Sequence, residues 1–366
     1  MLKAGIVGLP NVGKSSLFNA LTAQGAPSEN YPFCTVDPNV GTVEVPDRRL
    51  DRIFELVGAR ARVPTIVQFV DIAGLVKGAS EGEGLGNKFL GNIREVDAVV
   101  HVLRCFEDSD ITHVLGGVDP VRDREVVNTE LALADLDTVE RRRDRVAKKA
   151  KGGDKEAVRE VSLLDRTLAV LAEGRPAREV SVDPEDAALF RSFHLLTSKP
   201  VLYLANVGED DLPDGENDFV RQLRDVVAAE EPEAEIVAVC SAIESELAEL
   251  DPEERTEFLT DLGLAEPGLH RLIRTTYDLL GLITFFTAGE KEARAWTVRR
   301  GAAAPEAAGS IHSDFERGFI RAETIHFAEF EGLGSLKAAR EKGQMRSEGK
   351  EYVVKDGDIM LFRFNV

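Results

Sequence analysis

The sequence predicts an α/β fold with a mostly parallel sheet, an inserted antiparallel helical hairpin and a small C-terminal α+β domain. Three observations lead to this prediction. The apolar run Ala4–Val7, the glycine-rich stretch Gly8–Ser15 and the helical pattern from Ser16 have the order strand, loop, helix. Apolar runs of strand length then recur along the chain. A long helical pattern separates two of these runs, and a second group of strand patterns follows residue 281.

The glycine-rich stretch ends in Gly-Lys-Ser, and its spacing is that of a P-loop, which binds phosphates with backbone N–H groups and a helix N-terminus. Lys14 is the predicted catalytic lysine, because it can reach the outer phosphates. Ser15 can offer its hydroxyl to Mg²⁺. The residues expected to line the phosphates are Asn11, Val12, Gly13, Lys14, Ser15 and Ser16.

Composition excludes several classes of protein. The 366 residues carry a formal net charge of -20, so DNA or bulk RNA coating is not expected, and an RNA contact would need a local basic patch. Three cysteines, Cys34, Cys105 and Cys240, are too scattered for a zinc site or a disulfide framework. No apolar run reaches membrane-spanning length and the short N-terminal run does not resemble a signal peptide, so we expect a cytoplasmic protein.

The first loop after the P-loop helix, residues 25–39, is a candidate switch segment. Thr35 can bring a second hydroxyl to Mg²⁺. Its neighbour Cys34 is either a small buried side chain or a thiol whose oxidation would disturb the switch. Residues 41–45 then alternate in the manner of an edge strand.

A second buried strand, residues 65–70, ends in Asp71-Ile72-Ala73-Gly74. Asp71 can hold Mg²⁺ through water, and the Gly74 N–H can contact the γ-phosphate. Leu75 stands where Ras-type enzymes place the glutamine that orients water, so we expect slow intrinsic turnover. After a third strand, residues 97–104, comes an acidic loop with His113. This histidine either acts near the attacking water or is solvated or structural.

From Asn128 the apolar residues fall at helical spacing, Gly152-Gly153 breaks the run, and the spacing then resumes. This pattern predicts an antiparallel helical hairpin. Near its tip is a basic cluster of Arg141, Arg142, Arg143, Arg145, Lys148, Lys149 and Lys151. Two interpretations remain open, namely contact with RNA phosphates and a solvated face with intrahelical ion pairs.

The next strand, residues 201–205, delivers Asn206-Val207-Gly208-Glu209, where GTPases carry N-K-x-D. Glu209 is one methylene longer than the aspartate that reads guanine, so this stretch favours ATP over GTP. A register shift that brings in Asp210 or Asp211 is the alternative. A last strand, residues 235–240, leads to Ser241 and Ala242, whose backbone can touch the base.

Strand patterns at 282–287, 293–298, 324–327 and 358–364 predict a C-terminal binding module without a catalytic constellation. His312-Ser313-Asp314 is not a triad, because adjacent residues rarely have triad geometry. The predicted domains are residues 1–127 with 200–280, the hairpin 128–199, and 281–366.

The motifs GLPNVGKSSLFNALT, NYPFCT, DIAGLVKGAS, NVGED and SAIES, in this order, resemble the YchF/Obg-like ATPases of the TRAFAC class of P-loop NTPases. The resemblance covers essentially the whole chain. It implies an Obg-type P-loop NTPase domain and a C-terminal domain similar to the β-grasp TGS domain.

The resemblance also implies ATP hydrolysis with poor GTP binding, with Val207 lining the adenine through its backbone. It implies association with ribosomal subunits or rRNA through the basic hairpin and the TGS-like domain. Asn11 matches the P-loop asparagine of potassium-stimulated members, which makes K⁺ a candidate cofactor besides Mg²⁺.

We therefore expect a Mg²⁺-dependent ATPase that acts as a nucleotide-dependent switch on ribosomes. One alternative is a ribosome-associated GTPase. The other is an RNA- or ribosome-binding protein whose nucleotide sets its conformation and whose hydrolysis is incidental.

Overall fold

A computed structural model describes residues 2–23, 39–72 and 85–365, with the backbone alone for 85–88. The chain forms two compact units. The first comprises Met1–Thr42 and Gln68–Leu272, and the second comprises Val43–Val67 and Ile273–Val366. The chain therefore enters the second unit twice, first by a short internal segment and then by its C-terminal part.

The first unit is built on a six-stranded sheet. In spatial order its strands are β2 (Val40–Glu44), β4 (Ile66–Asp71), β1 (Lys3–Val7), β5 (Ala98–Arg104), β6 (Val201–Asn206) and β7 (Glu235–Val239). The pairs β4–β1, β1–β5, β5–β6 and β6–β7 are all parallel. Both β5 and β6 are buried along their whole length, as parallel strands covered on two faces should be. The predicted strands of this unit are confirmed, with β2 at the edge.

Nine helices of the described ranges accompany this sheet. They are α1 (Lys14–Ala23), α3 (Leu85–Glu95), α4 (Pro120–Lys151), α5 (Lys155–Ala172), α6 (Ala187–Arg191), α7 (Asp218–Glu230), α8 (Ser241–Glu249), α9 (Pro252–Asp261) and α10 (Gly268–Leu279), whose last turns belong to the second unit. Within the described ranges, no helix has both the length and the apolar character needed to cross a membrane.

The predicted helical hairpin is present as α4 and α5. Its turn is Gly152-Gly153, where Gly153 has φ +86°, and Asp154 caps α5 by accepting the N–H groups of Glu156 and Ala157. Ion pairs join Arg142 to Glu160 and Arg143 to Asp165 across the hairpin. Helix α4 begins eight residues earlier than predicted, at Pro120, and its first turns bury Asp123, Arg124 and Val127.

The second unit is a β-rich domain with a six-stranded sheet. In spatial order its strands are β11 (Arg346–Glu348), β10 (Phe319–His326), β12 (Asp358–Phe364), β8 (Leu282–Ala288), β9 (Glu292–Arg299) and β3 (Ala61–Val63). Its helices are α2 (Arg48–Val57), α11 (Ala304–Ile311), α12 (Ser313–Arg317), α13 (Phe327–Leu333) and α14 (Leu336–Glu341). One core joins α11 to Phe285 and Phe362, and the other joins α2 and α13 to Phe286 and Ile359.

The observed units differ from the predicted boundaries, which assign all of residues 1–127 to the nucleotide domain. Leu50 and Ile53 of α2 are fully buried in the core that contains Phe286, and β3 pairs with β9. Residues 43–67 thus belong with the C-terminal strands. In addition, β10 begins five residues earlier than predicted, and the short polar strand β11 was not predicted.

Candidate active site

The P-loop has the backbone that close approach to phosphates requires. It runs from the end of β1 to the start of α1, and Gly13 has φ +97°. A Cβ on Gly13 would lie 2.2 Å from the Asn206 Nδ2, and one on Gly8 would lie 2.5 Å from the Val102 carbonyl oxygen. Glycine is therefore required at both positions by sterics as well as by conformation.

Lys14 is the first residue of α1 and is buried. Its Nζ donates a hydrogen bond of 2.7 Å to the Leu9 carbonyl oxygen, so the ammonium group is folded back over the loop. Burial lowers the pKa of Lys14 to about 8, against the opposing effect of Asp71. A lysine held out of water in this way interacts strongly with any anion that replaces its carbonyl partner.

Asp71, the last residue of β4, lies opposite Ile6 of β1 in the sheet. Its Oδ1 is buried and has no hydrogen-bond partner among the described residues. Burial raises the pKa of this carboxyl, although Lys14 acts in the other direction. An orphaned carboxylate oxygen beside a P-loop fits a Mg²⁺ ion bound through water, and the exposed Ser15 at the helix start fits its inner hydroxyl ligand. These residues therefore fit a magnesium–nucleotide complex.

Several predicted site residues lie outside the described residues. They are Thr35 and Cys34 of the candidate switch segment, and Gly74 and Leu75 after β4. Their predicted roles remain predictions.

Asn11 connects the P-loop to the loop that follows β5. It has φ +62°, and its Nδ2 donates a 3.1 Å hydrogen bond to the Thr112 carbonyl oxygen. That loop is organised by Arg104, which is almost wholly buried and donates to the carbonyl oxygens of Phe106, Asp108 and Ile111. The sequence does not indicate this role of Arg104, because an arginine at a strand end gives no sign that its partners are backbone carbonyl groups.

At the predicted base end, Asn206 joins three elements. Its Nδ2 donates to the Val12 carbonyl oxygen at 2.9 Å, and its Oδ1 accepts the Ser241 N–H at 3.0 Å. The side chain is thus a bridge between the P-loop and the start of α8, which places Ser241 and the exposed Ala242 beside it.

Val207 is buried, and its N–H already donates to the Val239 carbonyl oxygen at 3.0 Å. The implied adenine contact through the Val207 backbone is therefore limited to its carbonyl group. Glu209 is exposed at the start of the 3-10 turn Glu209–Asp211.

Asp211 is held in place by two donors. Its Oδ2 accepts the Gly208 N–H at 3.0 Å and the Asn217 Nδ2 at 2.8 Å. Asn217 also donates to the Cys105 carbonyl oxygen at 2.7 Å. A register shift that brought Asp211 to a base would break both of its hydrogen bonds, whereas Asp210 is exposed. The structure therefore disfavours Asp211 as a substitute for the guanine-reading aspartate.

His113 does not have the environment of a catalytic residue. It is buried, its Nε2 lies 2.8 Å from the Asp123 Oδ2, and its Nδ1 accepts the Leu115 N–H at 3.2 Å. Both ring nitrogens are occupied, so neither is free to handle a water molecule. We correct the prediction accordingly and assign His113 the structural role that was its alternative.

Comparison with known proteins gives matches over the full chain. The chain is 57% identical to "Ribosome-binding ATPase YchF" of Bacillus subtilis, covering 100% of both proteins. It is 56% identical to the protein of the same name from Haemophilus influenzae, covering 100% and 99%. It is 44% identical to "Obg-like ATPase 1" of Oryza sativa, covering 100% and 92%.

Two family models match. Residues 3–134 match a family described as "50S ribosome-binding GTPase", and residues 282–365 match the YchF-GTPase C-terminal family, described as "Protein of unknown function". The solved structure of the Schizosaccharomyces pombe YchF GTPase superposes with a TM-score of 0.89 at 38% identity, covering 99% of this chain and 97% of that one. The names of the three relatives say ATPase, whereas the family model for residues 3–134 and the solved structure are named GTPase.

Proposed function

The chain belongs to the YchF family of ribosome-binding ATPases, and on this premise we propose a Mg²⁺-dependent ATPase that hydrolyses ATP to ADP and phosphate. In this proposal the bound nucleotide switches a protein that acts on ribosomes in the cytoplasm. The observation that carries the proposal is the P-loop, where the buried Lys14 lies beside the orphaned carboxylate of Asp71.

The chemistry assigned to these residues is positioning and charge stabilisation. The N–H groups of Gly13, Lys14 and Ser15 would donate to phosphate oxygens, and the Lys14 ammonium would exchange the Leu9 carbonyl for the γ-phosphate. Ser15, and Asp71 through water, would hold a Mg²⁺ ion, which would supply positive charge to the phosphate groups. Because Lys14 is desolvated, its charge acts strongly on the negative charge that develops during in-line attack by water. With Leu75 unable to orient that water, we propose slow turnover without a partner.

We propose that residues Asn206 to Glu209 make the nucleotide site selective for ATP. The Asn206 side chain is committed to Val12 and Ser241, and Asp211 is committed to Gly208 and Asn217. Glu209 and the exposed Asp210 are then the uncommitted carboxylates. Of these, Glu209 stands at the position where GTPases read guanine, and its extra methylene displaces its carboxylate. A base that presents an acceptor nitrogen and an amino donor could be bound by backbone groups instead.

The deciding experiment is equilibrium binding of fluorescent ATP and GTP analogues in the presence of Mg²⁺. We expect tighter binding of ATP, and a variant combining Val207→Lys with Glu209→Asp should move the preference toward GTP. Asp210→Asn is the matched control and should leave it unchanged. A wild-type preference for GTP would place the protein with the ribosome-associated GTPases, and an unaltered preference in the double variant would refute the base-reading argument.

We propose that K⁺ is a second cation of this site and that Asn11 is one of its ligands. The Nδ2 of this residue is committed to Thr112, which leaves its Oδ1 for a cation beside the phosphates. ATP turnover should then be higher in KCl than in NaCl at equal ionic strength, and Asn11→Ala should abolish the difference. Equal rates in both salts would remove K⁺ from the proposal.

The hairpin tip is proposed as one ribosome contact. Three arginines of the basic cluster form ion pairs, Arg141 with Asp137, Arg142 with Glu160 and Arg143 with Asp165. The remaining members form no ion pair within the described ranges, and all are exposed: Arg145, Lys148, Lys149 and Lys151. Each interpretation of the cluster therefore fits one part of it. The paired arginines fit a helix surface stabilised by ion pairs, and the unpaired tip residues fit contact with RNA phosphates.

Changing Lys148, Lys149 and Lys151 to glutamate should abolish co-sedimentation with ribosomes while ATP turnover stays unchanged. The matched control changes the paired residues Arg141, Arg142 and Arg143 to glutamine, which should lower the unfolding temperature more than it lowers binding. Full binding by the lysine variant would show that the tip is only a solvated surface. The alternative in which hydrolysis is incidental predicts the same loss of binding with unaltered turnover, so this experiment tests the contact surface and not the choice between the two.

A further inference from the structure

The first unit contains a cavity of about 450 Å³ that takes no part in the proposed chemistry. Sites for small molecules have volumes of about 300–1,000 Å³. The cavity is lined by residues of β1, β5 and β6, by α4, and by the segments between α5 and β6 and at the end of α7. Among the described residues that line it, none belongs to the P-loop or to residues 206–209, so the cavity is separate from the predicted nucleotide site.

Much of the cavity wall is aliphatic. Buried valine and leucine side chains form this part, and they are Val7, Val99, Val127, Leu131, Leu196 and Val201. Three of them come from the sheet, two from α4 and one from the segment before β6. An apolar group that covers such a wall is removed from water, which favours binding. The occupant of the cavity is therefore expected to carry an apolar segment.

Two side chains that line the cavity have an unsatisfied nitrogen. The Nε2 of His101 and the Nε of Arg124 are buried and have no hydrogen-bond partner among the described residues. These residues are only 1% and 2% exposed. Burial lowers the pKa of His101 to about 3, and the charge of Arg124 acts in the same direction, so the imidazole is neutral. Buried polar groups normally have a partner, and a ligand with a hydrogen-bonding end would supply one.

The charged residues that line the cavity are sorted by depth. Those that are buried or half-buried carry a net charge of +2, and we call them the inner group: Arg124, Arg178, Lys199 and Glu231. Those that are exposed carry a net charge of -3, and we call them the outer group: Glu125, Glu173, Arg175, Glu179 and Glu230. The inner part of the cavity therefore favours a negative ligand group, and the outer part favours a positive one.

Glu231 holds the two inner arginines in place. Its carboxylate accepts hydrogen bonds from an Nη of Arg124 at 2.5 Å, from the Tyr203 hydroxyl at 2.8 Å and from Arg178. The other Nη of Arg124 donates to Glu230 at 2.8 Å. A ligand carboxylate would therefore meet two oriented guanidinium groups, one of which has an unsatisfied donor, and it would need to break no ion pair. Guanidinium groups match carboxylates in geometry as well as in charge.

We propose that this cavity binds a small zwitterion whose carboxylate and ammonium groups are separated by an apolar segment, as in an ω-amino acid. The carboxylate binds against the inner group, the apolar segment covers the aliphatic wall, and the ammonium group lies among the acids of the outer group. A simple anion is repelled by the outer group and a simple cation by the inner group. A molecule that carries both charges complements both groups.

The test titrates the full chain, saturated with Mg²⁺ and a non-hydrolysable ATP analogue, with three probes of similar length: ε-aminocaproate, caproate and n-hexylamine. Ligand-observed NMR and calorimetry give the dissociation constants. We expect ε-aminocaproate to bind in the millimolar range, as a ligand of few atoms does, and about fivefold or more tightly than either singly charged probe. The ATP analogue should not displace it.

A variant that fills the cavity tests where the probe binds. Thr129→Trp adds bulk at an exposed position that lines the cavity, and it should weaken ε-aminocaproate binding about tenfold or more. Leu133→Trp is the matched control, because Leu133 lies on the same helix, is 47% exposed and is not among the residues that line the cavity. ATP binding and turnover should be unchanged in both variants.

Charge variants test the orientation of the ligand. Glu125→Gln combined with Glu173→Gln removes two exposed acids of the outer group, and it should weaken ε-aminocaproate binding about threefold to tenfold without weakening that of caproate. Arg178→Gln should weaken the binding of both. Glu140→Gln, an exposed change elsewhere on α4, is the control for the loss of an acid.

Three results would each overturn the inference. They are equal affinity for all three probes, displacement of ε-aminocaproate by the ATP analogue, and unaltered ε-aminocaproate binding in Thr129→Trp. If Thr129→Trp does not fold, the surface variant lacking Glu125 and Glu173 decides, and unaltered ε-aminocaproate affinity in that variant would overturn the inference as well.

Discussion

At the residue scale, the P-loop brings together two groups whose ordinary charges are disfavoured. Burial shifts the pKa of Lys14 downward and the pKa of Asp71 upward, so each is moved toward its neutral form. Neither shift is offset by a direct ion pair, since Lys14 donates to a carbonyl and the Asp71 Oδ1 has no hydrogen-bond partner among the described residues. A nucleotide with its metal ion supplies the missing charge to both groups at once.

ATP affinity should consequently depend on pH through Lys14. In the free protein its pKa is lowered to about 8, and phosphate oxygens raise it again in the complex. Binding therefore requires no proton uptake near pH 6.5, and takes up a proton above pH 8, where affinity should fall up to tenfold per pH unit. Calorimetry at pH 7 and pH 9, in buffers of different ionisation enthalpy, measures this uptake directly. Affinity that stays constant from pH 7 to pH 9.5 would contradict the assignment.

Glu244 should make the first unit less stable as pH rises. It is buried, its Oε1 accepts the Gly268 N–H at 2.6 Å, and burial raises its pKa to about 7 from an ordinary value of 4.5. A carboxyl with a raised pKa in the folded state contributes its full stability below pH 4.5 and loses it as pH rises through about 7. Glu244→Gln should therefore match the wild type at pH 5 and exceed it at pH 8 by on the order of 2–3 kcal/mol.

The measurement is thermal unfolding at pH 5, 6, 7 and 8. A difference of this size corresponds to a shift of about 5 °C for a unit of this size. Glu246→Gln, an exposed change on the same helix, is the control and should give parallel curves. A Glu244→Gln variant less stable than the wild type at pH 8 would show that the ionised carboxylate is the stabilising form.

At the element scale, the loop after β5 is a structural extension of the P-loop. The guanidinium of Arg104 holds three of its carbonyl groups, and the Thr112 carbonyl accepts from Asn11. The loop is therefore ordered from inside by a buried cation, and it in turn supports a P-loop residue that has a left-handed backbone.

Arg104→Met should loosen this loop. The change keeps much of the side-chain volume but leaves three carbonyl groups without their donor, each at a cost of about 1–3 kcal/mol where water cannot reach. We expect a clear fall in unfolding temperature and an ATP affinity weakened about tenfold through Asn11. Arg94→Met, on the surface helix α3, is the control for loss of a charge. Full ATP affinity in the Arg104 variant would show that the loop does not support the P-loop.

Some elements of the fold were recognisable from the sequence pattern and others were not. The strands β1, β4, β5, β6 and β7 were predictable because continuous apolar runs mark parallel strands buried on both faces. The P-loop and the Gly152-Gly153 turn were predictable because each depends on glycine at fixed positions. Strands β3 and β11 could not be predicted, because three-residue edge strands of mixed polarity carry no periodic pattern.

Site residues followed the same division. Lys14, Ser15 and Asp71 were recognisable from local spacing around the P-loop and the strand ends. Three other features were not recognisable, because each depends on partners distant in sequence or on burial. They are the bridge made by Asn206, the Asp211–Asn217 hydrogen bond and the occupied ring of His113. Residue type and spacing thus predict the phosphate end of the candidate site, whereas its predicted base end depends on tertiary contacts.

At the scale of the whole molecule, the second unit is not one continuous stretch of chain. Leu50 and Ile53 are fully buried in a core shared with Phe286 and Phe330, and β3 pairs with β9 at the end of the sheet. These residues come from the segment 43–67, which lies in the sequence between the two segments of the first unit.

A fragment of residues 273–366 should therefore not fold stably. Without α2 this core loses Leu50 and Ile53, so α13 and α14 cover its sheet face only in part. Removal of a single buried leucine already costs about 2–5 kcal/mol. Joining residues 43–67 to the fragment by a flexible linker should restore cooperative thermal unfolding and dispersed amide resonances. A bare fragment that unfolds cooperatively would show that α2 and β3 are dispensable.

Because residues 43–67 belong to the second unit, the ways in which genes of this kind can recombine are restricted. A domain that occupies one interval of a gene can be gained or lost by a single fusion or truncation. Here the C-terminal sheet includes a strand encoded more than two hundred residues upstream. A crossover between these two intervals would separate α2 and β3 from the strands they complete, so the two units can be exchanged between genes only together.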